Sequence, residues 1–250
     1  MCMVKGLDTF QRYFADYKEQ YVLIGGAACD ILFESNEVNF RATRDLDMVL
    51  IIEALTPEFG EKFWKFIVDG KYRNKATNGR NPQFYRFDKP EDDNFPKMIE
   101  LFCRSDFKLK NAKGITPIHI DDEVSSLSAI LLNDDYYKAL LNGKEVRNGL
   151  SVLRPEYLIL FKAKAYLDLK MRKDLGEKVD SNDVKKHKKD ILRIASELLL
   201  EKVEELPIAV DADIHSFIDL LEQEPFDQNS LKRYGLKNED VVEVLKQVFG

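Results

Sequence analysis

The chain has 250 residues, 44% hydrophobic and 33% charged, with a formal net charge of −6, enough to bury a substantial core in one or two domains under a well-solvated surface. Three cysteines at unrelated spacings, Cys2, Cys29 and Cys103, exclude a disulfide framework or zinc site, and no apolar run approaches the ~18 residues of a membrane span. The opening Met-Cys-Met-Val-Lys-Gly-Leu-Asp lacks the basic region and apolar core of a secretory signal, so a cytoplasmic protein without a membrane partner is expected.

In chain order, residues 8–19 predict a helix carrying Phe10, Tyr13, Phe14 and Tyr17 at helical spacing, which read as core. Tyr21-Val-Leu-Ile24 predicts a short strand, Gly25-Gly26 breaks it, and Ala27-Ala-Cys-Asp-Ile-Leu-Phe33 predicts a helix. Next comes a polar arm running into an apolar strand, Arg41-Ala-Thr-Arg-Asp45-Leu-Asp47-Met-Val-Leu-Ile-Ile52. Residues 58–68 form an amphipathic pattern with Phe59, Phe63, Trp64 and Ile67. The polar, turn-rich residues 74–82 predict a hairpin or mobile loop before Phe84-Tyr-Arg-Phe87 and a strand in Lys97-Met-Ile-Glu100-Leu-Phe-Cys103. Residues 115–120, 127–132 and a segment ending near Leu153 supply further apolar elements, and from Pro155 the pattern is almost wholly helical, interrupted at residues 174–182. The expected organisation is an α/β (α+β) domain over residues 1–153, a mixed sheet with flanking helices, followed by a helical domain over residues 154–250.

The most informative feature is the pair Asp45 and Asp47. Strand side chains alternate faces, so both acids project from one face and Leu46 from the other. Like charges that close raise one another's pKa unless a cation neutralises them, and hard oxygen ligands favour Mg²⁺ or Mn²⁺. The alternative is a strand entry with solvated aspartates. Gly25-Gly26 between a strand and a helix fits a phosphate-binding turn, because glycine admits an anion to the backbone and the helix N-terminus favours negative charge. It also fits a plain tight turn. Glu100 interrupts an apolar run, where an acid is costly unless paired or metal-bound. It competes with an edge-strand reading, and Glu53 is a weaker candidate for the same role.

In the helical part, Leu158, Lys162, Ala165 and Leu169 share one stripe, so Lys162 interrupts an apolar face; a lysine snorkelling from a core edge would look similar. Lys164, Asp168 and Arg172 read instead as a solvated ladder. Asp183 is an N-cap or first-turn acid for a helix whose buried side holds Val184, Ile191, Ile194, Ala195 and Leu198, with His187 near it. Between Lys162 and Arg193 there are 11 Lys or Arg against 6 Asp or Glu, a concentrated positive patch suited to triphosphate or a nucleic-acid acceptor. From Glu201 onward, 12 acids against 5 bases would repel a polyanion.

Gly25-Gly26, Arg41-x-Thr43-x-Asp45-Leu-Asp47 and a third acid on a later strand resemble the nucleotidyltransferase superfamily with the DNA polymerase β palm fold, and within it the AbiEii-like toxin proteins. The resemblance implies transfer of a nucleoside monophosphate from a nucleoside triphosphate to RNA, protein or a small molecule, with two metal ions held by Asp45, Asp47 and Glu100. It further implies that Gly25 and Gly26 cradle the β and γ phosphates and that Lys162 offsets triphosphate charge. Lys189-Asp190 is the nearest match to a recurring lysine and aspartate, Arg41, Thr43 and Arg44 are accessory groups, and an antitoxin protein is an implied partner. The chain departs from the family pattern in three ways: Gly-Gly stands for Gly-Ser, the spacing from Gly26 to Asp45 is longer, and glutamate replaces aspartate as third acid. A second reading therefore stands beside the first, a fold without turnover that serves as a nucleotide- or partner-binding module.

Overall fold

The computed structural model describes residues 4–34, 45–74, 84–102, 130 and 133–250. These fall into two compact units, one holding the residues up to Phe102 with Lys144–Leu153, the other holding residues 130–143 and Arg154–Gly250. A unit boundary thus coincides with the expected change at residue 153, while a helix just before it, α4 (Asp134–Asn142), belongs to the helical unit and not to the sheet. The reason is chemical: the Tyr136 hydroxyl donates to Asp213 at 2.9 Å, and Asp135 accepts from Ala209 N at 2.9 Å.

In the first unit, α1 (Leu7–Phe14) is followed by β1 (Tyr21–Leu23), α2 (Gly25–Glu34), β2 (Asp45–Leu50), α3 (Pro57–Asp69), β3 (Arg73–Asn74), β4 (Phe84–Asp88) and β5 (Met98–Phe102). The hairpin strands β6 (Lys144–Arg147) and β7 (Leu150–Leu153) complete a seven-stranded mixed sheet of order β3-β4-β5-β2-β1-β7-β6 among the described residues. β1 runs antiparallel to β2 and parallel to β7, and β2 runs parallel to β5. A parallel pair at the centre needs both faces covered, which is why β2 and β5 read as near-continuous apolar runs broken by acids. The expected turn-rich segment lies largely outside the described residues; the strands flanking it, β3 and β4, pair antiparallel.

Of the four aromatic residues expected on a helix over residues 8–19, Phe10 and Phe14 are core, Tyr13 is half-buried with its hydroxyl donating to Asp69, and Tyr17, also half-buried, lies beyond the end of α1 at Phe14. Phe10 and Phe14 are fully buried and meet α3 through Phe14–Phe59 at 5.6 Å and Phe10–Phe66 at 5.8 Å between ring centroids, contacts that bury large areas with favourable edge-on geometry. The helix α2 is apolar all round and buried from Gly26 to Phe33, so it is a core helix rather than an amphipathic one. Its Asp30 accepts Val4 N at 2.8 Å, and burial raises that carboxyl above its usual range.

The second unit is built on α5 (Pro155–Asp174), with α6 (Ser181–Glu197), α7 (Ile208–Gln223), α8 (Gln228–Tyr234) and α9 (Asn238–Phe249). Proline at the first position of α5 needs no N–H partner there. α6 is capped by Asp180, whose side chain accepts Asn182 N at 2.8 Å, leaving Asp183 in the first turn. Leu158, Ala165 and Leu169 are buried as their spacing predicts, and α5 packs against both α6 and α7. The expected solvated ladder is different in fact: Lys164 pairs with Asp168 at 3.3 Å but also reaches Asp213 at 3.1 Å, while Arg172 turns to Glu177 at 2.7 Å. α7 packs over that face and converts an exposed pair into a half-buried network, which periodicity within α5 cannot reveal. No helix among the described residues is long and apolar enough to cross a membrane.

Candidate active site

β2 begins on Asp45, and its pleat turns Asp45 and Asp47 to one face while Leu46 is fully buried on the other. Parallel pairing with β5 sets Asp47 directly beside Glu100. Antiparallel pairing with β1 brings the end of that strand to the same place: Ile24 N donates to Asp47 O at 3.0 Å. One residue later Gly25 opens α2 with φ +64°, and a Cβ there would lie 2.0 Å from Asp47 Oδ2. Glycine is thus needed for its backbone conformation and for the room it leaves the carboxylate. The acid lies against the first residue of a 10-residue helix, where the free N–H groups favour an anion. The turn expected to approach a phosphate approaches an anion of the protein's own, and Gly26 is buried in the first turn of α2.

Glu100 is 6% exposed. Burial pushes its carboxyl above the ordinary glutamate range, the Arg86 guanidinium and hydrogen bonds shared with Asp47 and Arg86 draw it back, and the charge of Asp45 adds to the rise. The bond between Asp47 and Glu100 needs one proton between the two carboxyls, the normal state of close acids in the absence of a cation. Arg86, opposite Glu100 in the antiparallel register of β4 and β5, donates from Nε to Glu100 Oε1 at 2.8 Å. Three carboxylates on adjacent strands are the hard oxygen donors that suit Mg²⁺ or Mn²⁺. Among the described residues no three acidic, histidine or cysteine side chains are drawn into a ready metal-binding group, and in this arrangement Arg86 engages Glu100 Oε1.

Of the other expected residues, Arg41, Thr43 and Arg44 lie outside the described residues. Glu53 is exposed in the turn after β2. Lys162 and Asp190 belong to the helical unit and meet each other across α5 and α6, Nζ to Oδ2 2.8 Å, both buried. His187, one turn before Asp190, is buried as well, whereas Lys189 is exposed and lines a cavity of the helical unit. Sequence reasoning missed Arg86. Its signal was present, a basic residue alternating with apolar ones in the run ending at Phe87, but nothing local says that the acid it faces is Glu100. The Lys162–Asp190 pairing was missed for the same reason: the two residues were picked out separately, and only tertiary packing joins them.

In sequence, the chain matches no protein-family model and no curated protein. In structure it is similar to an antigenic nucleotidyltransferase-like protein from Paracoccidioides brasiliensis, with a TM-score of 0.50 at 16% identity over 97% of this chain and 93% of that one. The fold is nucleotidyltransferase-like. A looser likeness, JHP933 from Helicobacter pylori, has a TM-score of 0.30 at 13% identity over 97% of this chain and 85% of that one, too low to bear on the fold. Within this mixed sheet the parallel pairing of β2 and β5 sets their carboxylates side by side at the centre.

Proposed function

We propose that the chain is a metal-dependent nucleotidyltransferase, moving a nucleoside monophosphate from a nucleoside triphosphate to an acceptor that is RNA, a protein or a small molecule. The observation that supports this reading is the juxtaposition of Asp45 and Asp47 on one face of β2 with Glu100 beside Asp47 on β5. In the reaction an acceptor oxygen bonds to the α-phosphorus, the bond from that phosphorus to the bridging oxygen breaks, and pyrophosphate leaves. Bound Mg²⁺ or Mn²⁺ would neutralise triphosphate charge and acidify the acceptor hydroxyl. Asp45 and Asp47 would hold the cation, and Glu100 would complete the set and take up the acceptor's proton. Gly25 and Gly26 would admit the β and γ phosphates to the N-terminus of α2. Arg41, Thr43 and Arg44 would be accessory phosphate groups. The resemblance to AbiEii-like proteins adds a toxin role with an antitoxin partner.

The test is incubation with each α-labelled nucleoside triphosphate, Mg²⁺ or Mn²⁺ and a total cell extract, with Asp45→Asn alongside. Label carried to one acceptor class and lost in the variant supports transfer and names the acceptor. The engagement of Glu100 by Arg86 favours the second reading, a nucleotide- or partner-binding module without turnover. That reading expects nucleotide binding with no label transferred from any of the triphosphates.

A further inference from the structure

The helical unit encloses a cavity of about 500 Å³ walled by α5, α6 and the segment entering α8. Five lysines face it, Lys170 and Lys173 from α5 and Lys185, Lys188 and Lys189 from α6, together with Asp174, Glu224 and Asp227. The acids are already committed. Asp174 and Glu224 both pair with Lys170, at 3.3 and 3.1 Å. Asp227 caps α8 by accepting Ser230 N and Oγ, both at 2.9 Å.

Among the described residues, the other four lysines form no ion pair with a carboxylate. Lys173 donates to the hydroxyl of Ser181 at 2.9 Å, and Lys188 donates to the backbone carbonyls of Glu224 and Pro225, the latter at 3.2 Å. Both are neutral acceptors. Lys185 and Lys189, one turn apart on α6, are exposed and make no ion pair among the described residues; Lys189 acts on Asp227 only through its field. Lys188 is wedged between the rings of Tyr166 and Phe226, 5.6 and 5.5 Å from their centroids. Burial lowers its pKa, the charge of Glu224 raises it in part, and the charge of Lys170 lowers it further. Ammonium groups lining one cavity give it a positive field that favours an anion among them.

We infer that this cavity binds a compact anion with adjacent phosphate groups, held by Lys173, Lys185, Lys188 and Lys189. Its volume lies within the range of small-molecule sites. Tyr166 and Phe226 line the cavity, but they are only 6% and 3% exposed and already meet the Lys188 ammonium, so they offer little area on which a nucleic-acid base could stack. An extended polyanion leaving the cavity would also meet the acids of its wall and of the chain from Glu201 onward, where 12 acids stand against 5 bases. The chemistry therefore selects a short chain of phosphates, free or carried by a nucleotide, over an RNA strand. The site is lined by the helical unit alone and does not depend on the transfer reaction.

Calorimetric titration of the full chain with inorganic tripolyphosphate in EDTA tests it, because removing divalent cations silences any binding at Asp45 and Asp47. Saturable binding is expected, weakened about tenfold or more in the Lys185→Ala/Lys189→Ala double variant and unchanged in Asp47→Asn. Both lysines are exposed on a helix, so alanine there preserves folding; circular dichroism checks this. ATP binding more tightly than tripolyphosphate with the same lysine dependence would identify a nucleotide as the source of the phosphates, and equal binding would identify the phosphate chain alone. The inference is overturned if tripolyphosphate does not saturate, if the double variant binds as wild type, or if a single-stranded RNA oligonucleotide binds through the same lysines and tripolyphosphate fails to displace it.

Discussion

Replacing Asp190 by leucine should cost far more stability than replacing Asp190 and Lys162 together. The two side chains are 2.8 Å apart and only 5% and 7% exposed. Asp190→Leu alone strands a buried ammonium and Lys162→Met alone strands a buried carboxylate, losses of about 3–5 kcal/mol each. The double variant removes both charges and restores apolar packing between α5 and α6, so it should lie within roughly 1–2 kcal/mol of wild type, or above it. At about 2–4 °C per kcal/mol for a chain of this size, each single change lowers the melting temperature by about 6–20 °C. The assay is urea unfolding followed by two probes. Far-UV circular dichroism reports mainly the helices, while the only tryptophan, Trp64, sits on α3 of the sheet unit. The loss should appear in the dichroism transition, and the Trp64 transition should follow it only if the two units unfold together. Single variants that each lose less than about 1 kcal/mol, or effects that simply add in the double variant, would refute the account of the pair as a buried, mutually dependent ion pair.

Gly25→Ala should leave the protein folded but less stable by about 1–2 kcal/mol for the left-handed backbone alone, and should displace the Asp47 carboxylate from its place 2.0 Å from the new Cβ; a fall in Mn²⁺ affinity of about tenfold, read by electron paramagnetic resonance, checks the second effect. Asp45→Asn should abolish transfer yet leave the melting temperature in EDTA equal to or above that of wild type, since it removes the like charge that adds to the rise at Glu100; a large drop would mean that Asp45 is structural. Arg86→Gln should make stability in EDTA fall more steeply with rising pH. The folded pKa of Glu100 is raised above its ordinary 4.5, so the folded state holds a proton that the unfolded chain releases, and stability declines as pH climbs from about 4.5 through the folded value. Without the guanidinium that window extends upward, and parallel melting-temperature profiles for variant and wild type would refute the role given to Arg86.

Much of the fold was legible because local pattern and tertiary role agree. The aromatic spacing of α1, the proline opening α5 and the apolar runs of β2 and β5 each say locally what the packing then uses. Differences arise where a second element decides. The start of α2 at Gly25 rather than Ala27 follows from the left-handed glycine entering the helix directly from β1, and pattern reading treats such a pair as a break. α4 joins the helices because Tyr136 and Asp135 find partners on α7 and at its start, partners more than seventy residues away. At the site, the acids could be named because an acid in an apolar strand is conspicuous by its cost. Arg86 could not, because a basic residue on a strand is ordinary until its register is known.

The two motifs that stood apart in the sequence, the glycine pair and the acid pair, form one device. β1 and β2 run antiparallel, so the last residue of one strand meets the first acids of the other, and the helix entered through Gly25 points its positive end at Asp47. Asp47 is therefore anchored by a helix terminus, Glu100 by Arg86, and the two share a hydrogen bond. Each of these holds a carboxylate without a cation, and each is of a kind that a cation or a phosphate could replace: a proton by a metal ion, a carboxylate at a helix terminus by a phosphate oxygen. Glycine at position 25 serves both the left-handed backbone that enters α2 and the room that lets the Asp47 carboxylate lie against the helix terminus.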